Sequence, residues 1–310
     1  MTSKKDLDIV TIGHALVDIR FIVEFFANPD QESPILKQTR GVGGSAANVA
    51  IDVTKLGGKS GIIVKLGLDD FGRMVVDELM RHEVDVSGVR VCIADTGFTI
   101  VIIDKTGRVI MYGFKGAAEK LEPSDLDRGL ISRAKYVHIA SLRPDTSLAA
   151  TNIAHETGAT VSWDPGRVLA RKGAENLKNL LERVDIILAN KYEAKSLTGL
   201  EDYKEAAEKI LEYGPEIVIV KRGKEGVYTK TRRGEEYELP AFAVEKVVDT
   251  TGAGDAFAAG LLLGLSRGYS LKKALIYANA VAALKVSRLG SHSVPSHDEV
   301  IEFIWDKGLW

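Results

Sequence analysis

Residues 249–260 read DTTGAGDAFAAG. One acidic side chain, Asp255, directly follows a Gly-Ala-Gly turn formed by Gly252, Ala253 and Gly254. It directly precedes an apolar run with small residues at Ala256, Ala258, Ala259 and Gly260. Such a turn brings successive backbone N–H groups into one concavity, because glycine reaches the positive-φ conformations that aim them inward. A helix starting there adds its unpaired first-turn donors and the positive end of its dipole, so the string predicts an anion site. The helix terminus favours the charged form of Asp255, which is expected to be ionised at pH 7. A carboxylate beside a bound phosphate repels it unless it does chemistry. The chemistry within reach is removal of the proton from an attacking hydroxyl. A bare Gly-X-Gly-Asp also suits an aspartate that only caps its helix.

A second string, GVGGSAANVA, occupies residues 41–50. Gly43 and Gly44 permit close backbone approach to a small polar ligand, and Asn48 offers both donors and an acceptor. A plain strand-to-helix turn with a small-residue packing face would read the same way. Two common phosphate-binding patterns are missing. Gly58-Lys59-Ser60 has the tail of GxxxxGK[ST], but position 53 is Val53. Gly41-Val42-Gly43 is followed by Ala46 where GxGxxG needs its third glycine. These gaps disfavour P-loop nucleotidases and ordinary dehydrogenases.

The elements that must position these strings follow from periodicity. Residues 8–12 (DIVTI) predict a buried strand ending at Gly13. Residues 19–26 (IRFIVEFF) alternate imperfectly, as a strand wet on part of one face, and residues 28–34 form a polar loop. Apolar residues at helical spacing predict a helix over 45–57, closed by Gly57-Gly58. A strand over 61–67 and a helix over 71–84 come next. Residues 98–104 and 108–114 read as a hairpin around Lys105-Thr106-Gly107. Apolar strands then recur at 136–141, 159–164, 185–190 and 216–223, alternating with amphipathic stretches such as 200–214. Alternating strands and helices predict an α/β fold, with a doubly wound, mostly parallel sheet flanked by helices. The antiparallel pieces near 19–40 and 96–116 break the alternation and are expected to form a small separate sheet.

Composition bounds the function classes. The chain has 310 residues, 45% hydrophobic, which is ample for a large core. Its 41 basic and 43 acidic residues give a formal charge of -2, unlike a general nucleic-acid binder. The single cysteine, Cys92, forbids an intramolecular disulfide or a cysteine-cluster metal site. The start lacks a signal-peptide apolar stretch, and the longest apolar run, residues 256–265, is about half a membrane span. A cytoplasmic protein with no nucleic-acid or membrane partner is expected.

Taken together, GGSAANVA at 43–50 and DTTGAGDAFAAG at 249–260 resemble the two signature motifs of the ribokinase/PfkB family of carbohydrate and nucleoside kinases. Their order and wide separation match, and the resemblance covers nearly the whole chain. It implies one ribokinase-like domain over 1–310, with a discontinuous β-lid inserted at about 16–41 and 92–118. In relatives such a lid often doubles as a homodimer interface. It also implies phosphoryl transfer from ATP, with Mg2+, to a small-molecule alcohol. Asp255 would be the base, and Gly252, Ala253 and Gly254 would form the anion hole. Asp18, Gly43, Gly44 and Asn48 match the acceptor site. Asn190 and Glu193, in NKYE, match a motif that positions Mg2+ largely through water. Lys221, Gly223 and Gly226, in KRGKEG, resemble the turn beneath the nucleotide, and Asn279 matches a position near the adenine. Asp249 and Thr251, with 287–293, resemble a K+-type monovalent-cation site found in part of the family. The stretch Asp69-Asp70-Phe71-Gly72 is read as mainly structural.

The acceptor is less defined. Arg40, Arg143 and Arg167 would suit a phosphorylated or acidic sugar, since arginine binds such groups bidentately. Phe98, Tyr112 and Phe114 on the hairpin would suit a nucleoside. A small sugar is the first expectation, with nucleoside kinase the alternative. ADP as donor and a catalytically silent binding relative remain open on the sequence alone.

Overall fold

The structure, a computed structural model, describes residues 4–309. Thirteen strands form two sheets: β1 Leu7–Gly13, β2 Leu16–Val23, β3 Ile35–Gly43, β4 Ser60–Gly67, β5 Asp85–Cys92, β6 Thr96–Asp104, β7 Val109–Gly116, β8 Ala134–Ala140, β9 Thr160–Asp164, β10 Ile186–Asn190, β11 Ile217–Lys221, β12 Val227–Thr231 and β13 Glu236–Leu239. The large sheet has the order β13-β12-β11-β10-β9-β8-β1-β4-β5. It is parallel from β11 to β5, with β12 and β13 added antiparallel at one edge. The small sheet has the order β3-β2-β6-β7.

Strands of the large sheet are nearly continuous apolar runs because both faces are covered. In β10, Ile187 and Ala189 face one helical layer with Ala150, Ala206 and Ile210, while Ile186 and Leu188 face the other. That second layer holds the helices Ala253–Ser266 and Leu271–Val286. They pack closely because glycine leaves room: a Cβ on Gly260 would lie 3.0 Å from the Ala278 Cα. The run of small residues after Asp255 therefore has a packing role as well as a chemical one.

The site is positioned by the sheet's carboxyl ends. Gly13, Ala140, Asp164, Asn190 and Lys221 end β1, β8, β9, β10 and β11; Gly13 is in register with Ala140, Ala140 with Asp164 and Asn190 with Lys221, while β10 runs on past the end of β9. The chain leaves β1 for β4 on one side and later returns to β8 on the other, which opens the crevice where ligands bind in such sheets.

The small sheet departs from expectation in three places. Strand β2 pairs with β6 in parallel, not antiparallel. It spans Leu16–Val23 rather than 19–26, because the polypeptide turns after Val23, leaving Phe26 against Arg108. Strand β3 lies in the 19–40 segment expected in the small sheet, but it carries little alternation to mark its bounds and is mostly exposed; in the large sheet, β5, half-covered beside β4, has no matching expectation for the same reason. The hairpin turn was legible. Its organiser is the buried Asp104, which accepts N–H bonds from Thr106 (2.9 Å) and Arg108 (3.0 Å). Asp69 has the structural role read for it: it caps the helix Asp70–Arg81 through Gly72 N–H (2.7 Å) and accepts from Thr96 N–H on β6 (2.6 Å).

Leu188→Ala would empty a fully buried position between sheet and helices, at an expected cost of about 2–5 kcal/mol. Urea denaturation reads this as a lower midpoint with an unchanged slope; a loss below about 1 kcal/mol would mean the layer collapses around the gap.

Candidate active site

The turn before Asp255 has the conformation its glycines suggest. Gly252 caps the helix Ala253–Ser266 at φ 76°, and a Cβ there would lie 2.3 Å from the Ser291 carbonyl. The N–H of Ala253 is taken by the Thr250 carbonyl at 3.2 Å. The first-turn N–H groups of Gly254 and Asp255 therefore remain as the donors an anion would meet. The Lys221 ammonium lies against the same turn, 3.4 Å from where a Gly254 Cβ would sit.

Asp255 does not cap its own helix by a side-chain bond. Its Oδ2 accepts from Asn48 Nδ2 at 2.7 Å, and Asn48 Oδ1 lies 3.1 Å from His292 Nδ1. A carboxylate only accepts, so Asn48 must turn its amide NH2 toward Asp255. Its oxygen then requires the proton to be on His292 Nδ1. Burial, with Lys55 adding to it, holds the His292 pKa down at about 4, so the ring is neutral. Burial pushes the Asp255 carboxyl up to about 6 against the Asn48 hydrogen bond; Asp164 adds to the rise, and Lys221 and Ser45 oppose it. The helix terminus had suggested a favoured anion. Desolvation wins instead, leaving a base poised near neutrality yet mostly ionised at pH 7.

Asp18 and Gly43 are a matched pair. Asp18, on β2, faces Gly41 of β3 and Thr99 of β6. Its carboxylate fills the space a side chain at 43 would need, with Oδ2 2.4 Å from a Gly43 Cβ. Burial raises the Asp18 pKa against Arg20 and Thr99. Gly44, at φ 93°, caps the helix Ser45–Lys55 and would clash with the His14 carbonyl at 2.5 Å if it carried a Cβ. Asn48 thus joins the 43–50 string to Asp255, and Asp18 meets the same string at Gly43.

Asn190 and Glu193 form a reciprocal capping box at the helix Lys191–Thr198. Glu193 N–H donates to Asn190 Oδ1 (3.0 Å), and Asn190 N–H donates to Glu193 Oε2 (2.8 Å). Glu193 is buried, and burial with Asp164 raises its pKa. Beside it, Lys221 Nζ donates to Asp164 Oδ2 at 2.6 Å. Lys221 is therefore an interior cation rather than a solvated surface charge. Burial lowers its pKa, but Asp164, Glu193 and Asp255 outweigh that and raise it overall. Among the described residues, no group of three or more His, Cys, Asp or Glu side chains forms a metal cage. One carboxylate with an unused oxygen at Glu193, next to Asp164, fits Mg2+, which keeps several waters and takes one or two carboxylates together with phosphate oxygens.

Arg167 falls elsewhere than expected. It lines a cavity of about 460 Å3 with Arg171, Tyr192, Glu193, Lys195 and Ser196, on the Glu193 side rather than beside Asp18. Its short helix, Gly166–Ala170, starts directly after β9, which delivers it next to Asp164. Arg143 pairs with its neighbour Asp145 at 2.7 Å. Phe98 packs between Phe71 and Phe114, at ring distances of 6.0 and 5.5 Å. Gly226 is a structural turn at φ 92°, where a Cβ would meet the Leu239 carbonyl at 2.0 Å. Gly223, at φ 62°, has open space instead. Asn279 is buried and donates to the Pro240 carbonyl at 3.3 Å. The Asp249 carboxylate accepts from Thr251 N–H (2.9 Å), Gly290 N–H (3.1 Å) and Arg20 (3.2 Å), and its carbonyl accepts from Lys285 at 2.8 Å. The K+ expectation at Asp249 and Thr251 therefore meets two protein cations.

Four participants were missed in the sequence: Asp164, His292, Lys285 and Ser45. Only Asp164 carried a local signal, as an acid closing a buried strand just before Pro-Gly.

The comparisons agree with this geometry. The model of the pfkB family carbohydrate kinases matches residues 6–298. An ATP-dependent ribose-1-phosphate kinase of Halopiger xanaduensis is 37% identical over 96% of this chain and 98% of its own. An Arabidopsis thaliana ribokinase, solved with ribose and ATP, superposes at a TM-score of 0.88 with 25% identity, covering 96% of this chain and 98% of that one. An Escherichia coli protein described as a ribokinase II, solved with ATP and Mg2+, superposes at 0.84 with 28% identity, over 97% and 99%. The chain belongs to the pfkB family of carbohydrate kinases, enzymes that move a phosphoryl group to a sugar-like hydroxyl.

A base at Asp255 would work only as the anion, so turnover should fall as pH drops through about 6. Asn48→Ala removes a bond that favours that anion, so the acid limb of kcat should move to higher pH; an unmoved limb would assign it to another group.

Proposed function

We propose that this kinase moves the terminal phosphoryl group of ATP to a hydroxyl of a small sugar phosphate, with pentose phosphates the first class to test. The observation that carries the chemistry is the Asp255 carboxylate held at 2.7 Å by Asn48, at the mouth of an amide turn backed by Lys221. The observation favouring a phosphorylated acceptor is the 37% identical ribose-1-phosphate kinase, which matches along both whole chains.

Asp18 grips the acceptor hydroxyls and orients one toward Asp255. Asp255 takes that hydroxyl's proton as the oxygen attacks phosphorus. The Gly254 and Asp255 N–H groups and the Lys221 ammonium stabilise the charge on the group in transit, since phosphoryl transfer asks mainly for positioning and neutralisation. Mg2+, when bound, offsets charge between the nucleotide phosphates, and Glu193 with Asp164 is the set that would hold it through water. Gly223, Gly226 and Asn279 border the nucleotide side. Arg167, placed by Glu193, serves the donor phosphates rather than the acceptor. A phosphate on the acceptor would meet Lys115, which reaches over from β7 to within 3.4 Å of His14 Nδ1. Arg40, beside Gly41 on β3, lies on the same sheet.

The small sheet acts as a lid and as the contact with a second copy of the chain. Ile22, Ile35, Leu36, Val109, Met111 and Tyr112 are exposed on it, an apolar set that a dimer would cover. No described helix is long and apolar enough to cross a membrane, and a cytoplasmic site of action fits this substrate class.

The test is turnover with Mg2+ and either ATP or ADP, against sugar phosphates, free sugars, sugar acids and nucleosides. Preferred use of sugar phosphates with ATP supports the reading; preference for a free sugar or a nucleoside removes the phosphate from it. Asp255→Asn should cost on the order of 10²–10⁴-fold in kcat with little change in acceptor binding. Near-native turnover in that variant would make Asp255 a structural residue.

A further inference from the structure

One lysine behind the amide turn has no part in the steps above. Lys285, on the helix Leu271–Val286, is fully buried, and its ammonium donates to the Asp249 carbonyl at 2.8 Å. Asp249 opens the segment that runs through Thr251 into the anion-binding turn. Its carboxylate is already met by Thr251 N–H, Gly290 N–H and the Arg20 guanidinium. Asp52 is also fully buried, and neither of its carboxyl oxygens has a hydrogen-bond partner. The charges bearing on Lys285 are Asp249, Asp52 and Asp255, against Arg20. Burial depresses the lysine, while those three acids support its charge.

A monovalent metal ion at Asp249 and Thr251 would compete with Lys285 for the Asp249 carbonyl. It would also stand beside two fixed positive charges, Arg20 and Lys285, and like charges repel. The residues present do not fit such an ion.

We propose that the Lys285 ammonium is a tethered cation that replaces a monovalent ion and holds the 249–252 segment from behind, so that the kinase needs neither K+ nor Na+. Lys285 is a positioning residue. It touches no reacting atom and acts through the Asp249 carbonyl on the turn that presents the anion-binding N–H groups.

The inference rests on the kinase reading above, and its test separates the two. Turnover and the thermal midpoint of the full-length protein are measured in KCl, NaCl and choline chloride at equal ionic strength. Both should be the same in all three salts; stimulation or stabilisation specific to KCl overturns the proposal. Lys285→Ala should lose about 10- to 100-fold in kcat, the loss expected for one hydrogen bond from a charged donor. K+ or methylammonium should restore that turnover and raise the variant's midpoint without any acceptor present. A loss that no cation restores, or a variant with unchanged turnover, makes Lys285 a packing residue and overturns the proposal. If the variant does not fold, the wild-type salt comparison decides. Absence of turnover on every acceptor would sink the functional reading, while the melting series still reports on the cation.

Discussion

The structure depends on keeping one carboxylate charged where both its burial and the incoming phosphates oppose the charge. Asp255 sits at the start of a buried helix with Asp164 nearby, so desolvation and like charge push it toward the neutral acid. Three features push back: the Asn48 amide, the Lys221 ammonium and the Ser45 side chain. The balance near neutrality suits a base that must take a proton and later release it. Asn48 and Ser45 come from one helix, Ser45–Lys55, and Lys221 from the end of β11, so the fold is in effect the device that brings them to Asp255.

That device works through close approach. Gly43 leaves space that the Asp18 carboxylate fills, and Gly252 lets the 249–252 segment pass against the Ser291 carbonyl. Gly260 brings the helix bearing Asp255 against the helix bearing Lys285 and Asn279. The Lys221–Asp164 pair is interior, where removing one partner leaves the other charge uncompensated at a cost of several kcal/mol. Its stability contribution as a pair is modest; its consequence is a fixed ammonium at a fixed height above the sheet.

The two strings at 43–50 and 249–260 were legible because their chemistry is local: a turn, a helix start and a carboxylate lie within a few residues. The large sheet was legible because strands buried on both faces leave continuous apolar runs. Strand β3 and the parallel β2–β6 pairing were not, since an exposed polar strand is recognised only by its partners. His292 and Lys285 were invisible for a related reason. Each acts on a residue far away in sequence, Asn48 and Asp249, and nothing near either one marks it. Arg167 shows the converse: its residue type was informative, but its place beside Glu193 is decided by the strand it follows. Glu193 and Asn190 form a reciprocal helix cap that leaves one Glu193 oxygen unused, so the structural and chemical readings of that motif are not exclusive.

Only His14 and Ala15 separate β1 from β2, so the chain passes from one sheet to the other almost without a linker. Asp18 is carried by the small sheet and Asp255 by the large one. On the proposed mechanism, any rotation about that short joint would carry the grip on the alcohol away from the group that deprotonates it. Docking the alcohol and closing the two sheets would then be one thermodynamic event. An observed dissociation constant is the intrinsic one divided by the fraction of molecules already shut. Residues at the joint would therefore set how tightly the enzyme holds its substrate through the angle between the two sheets.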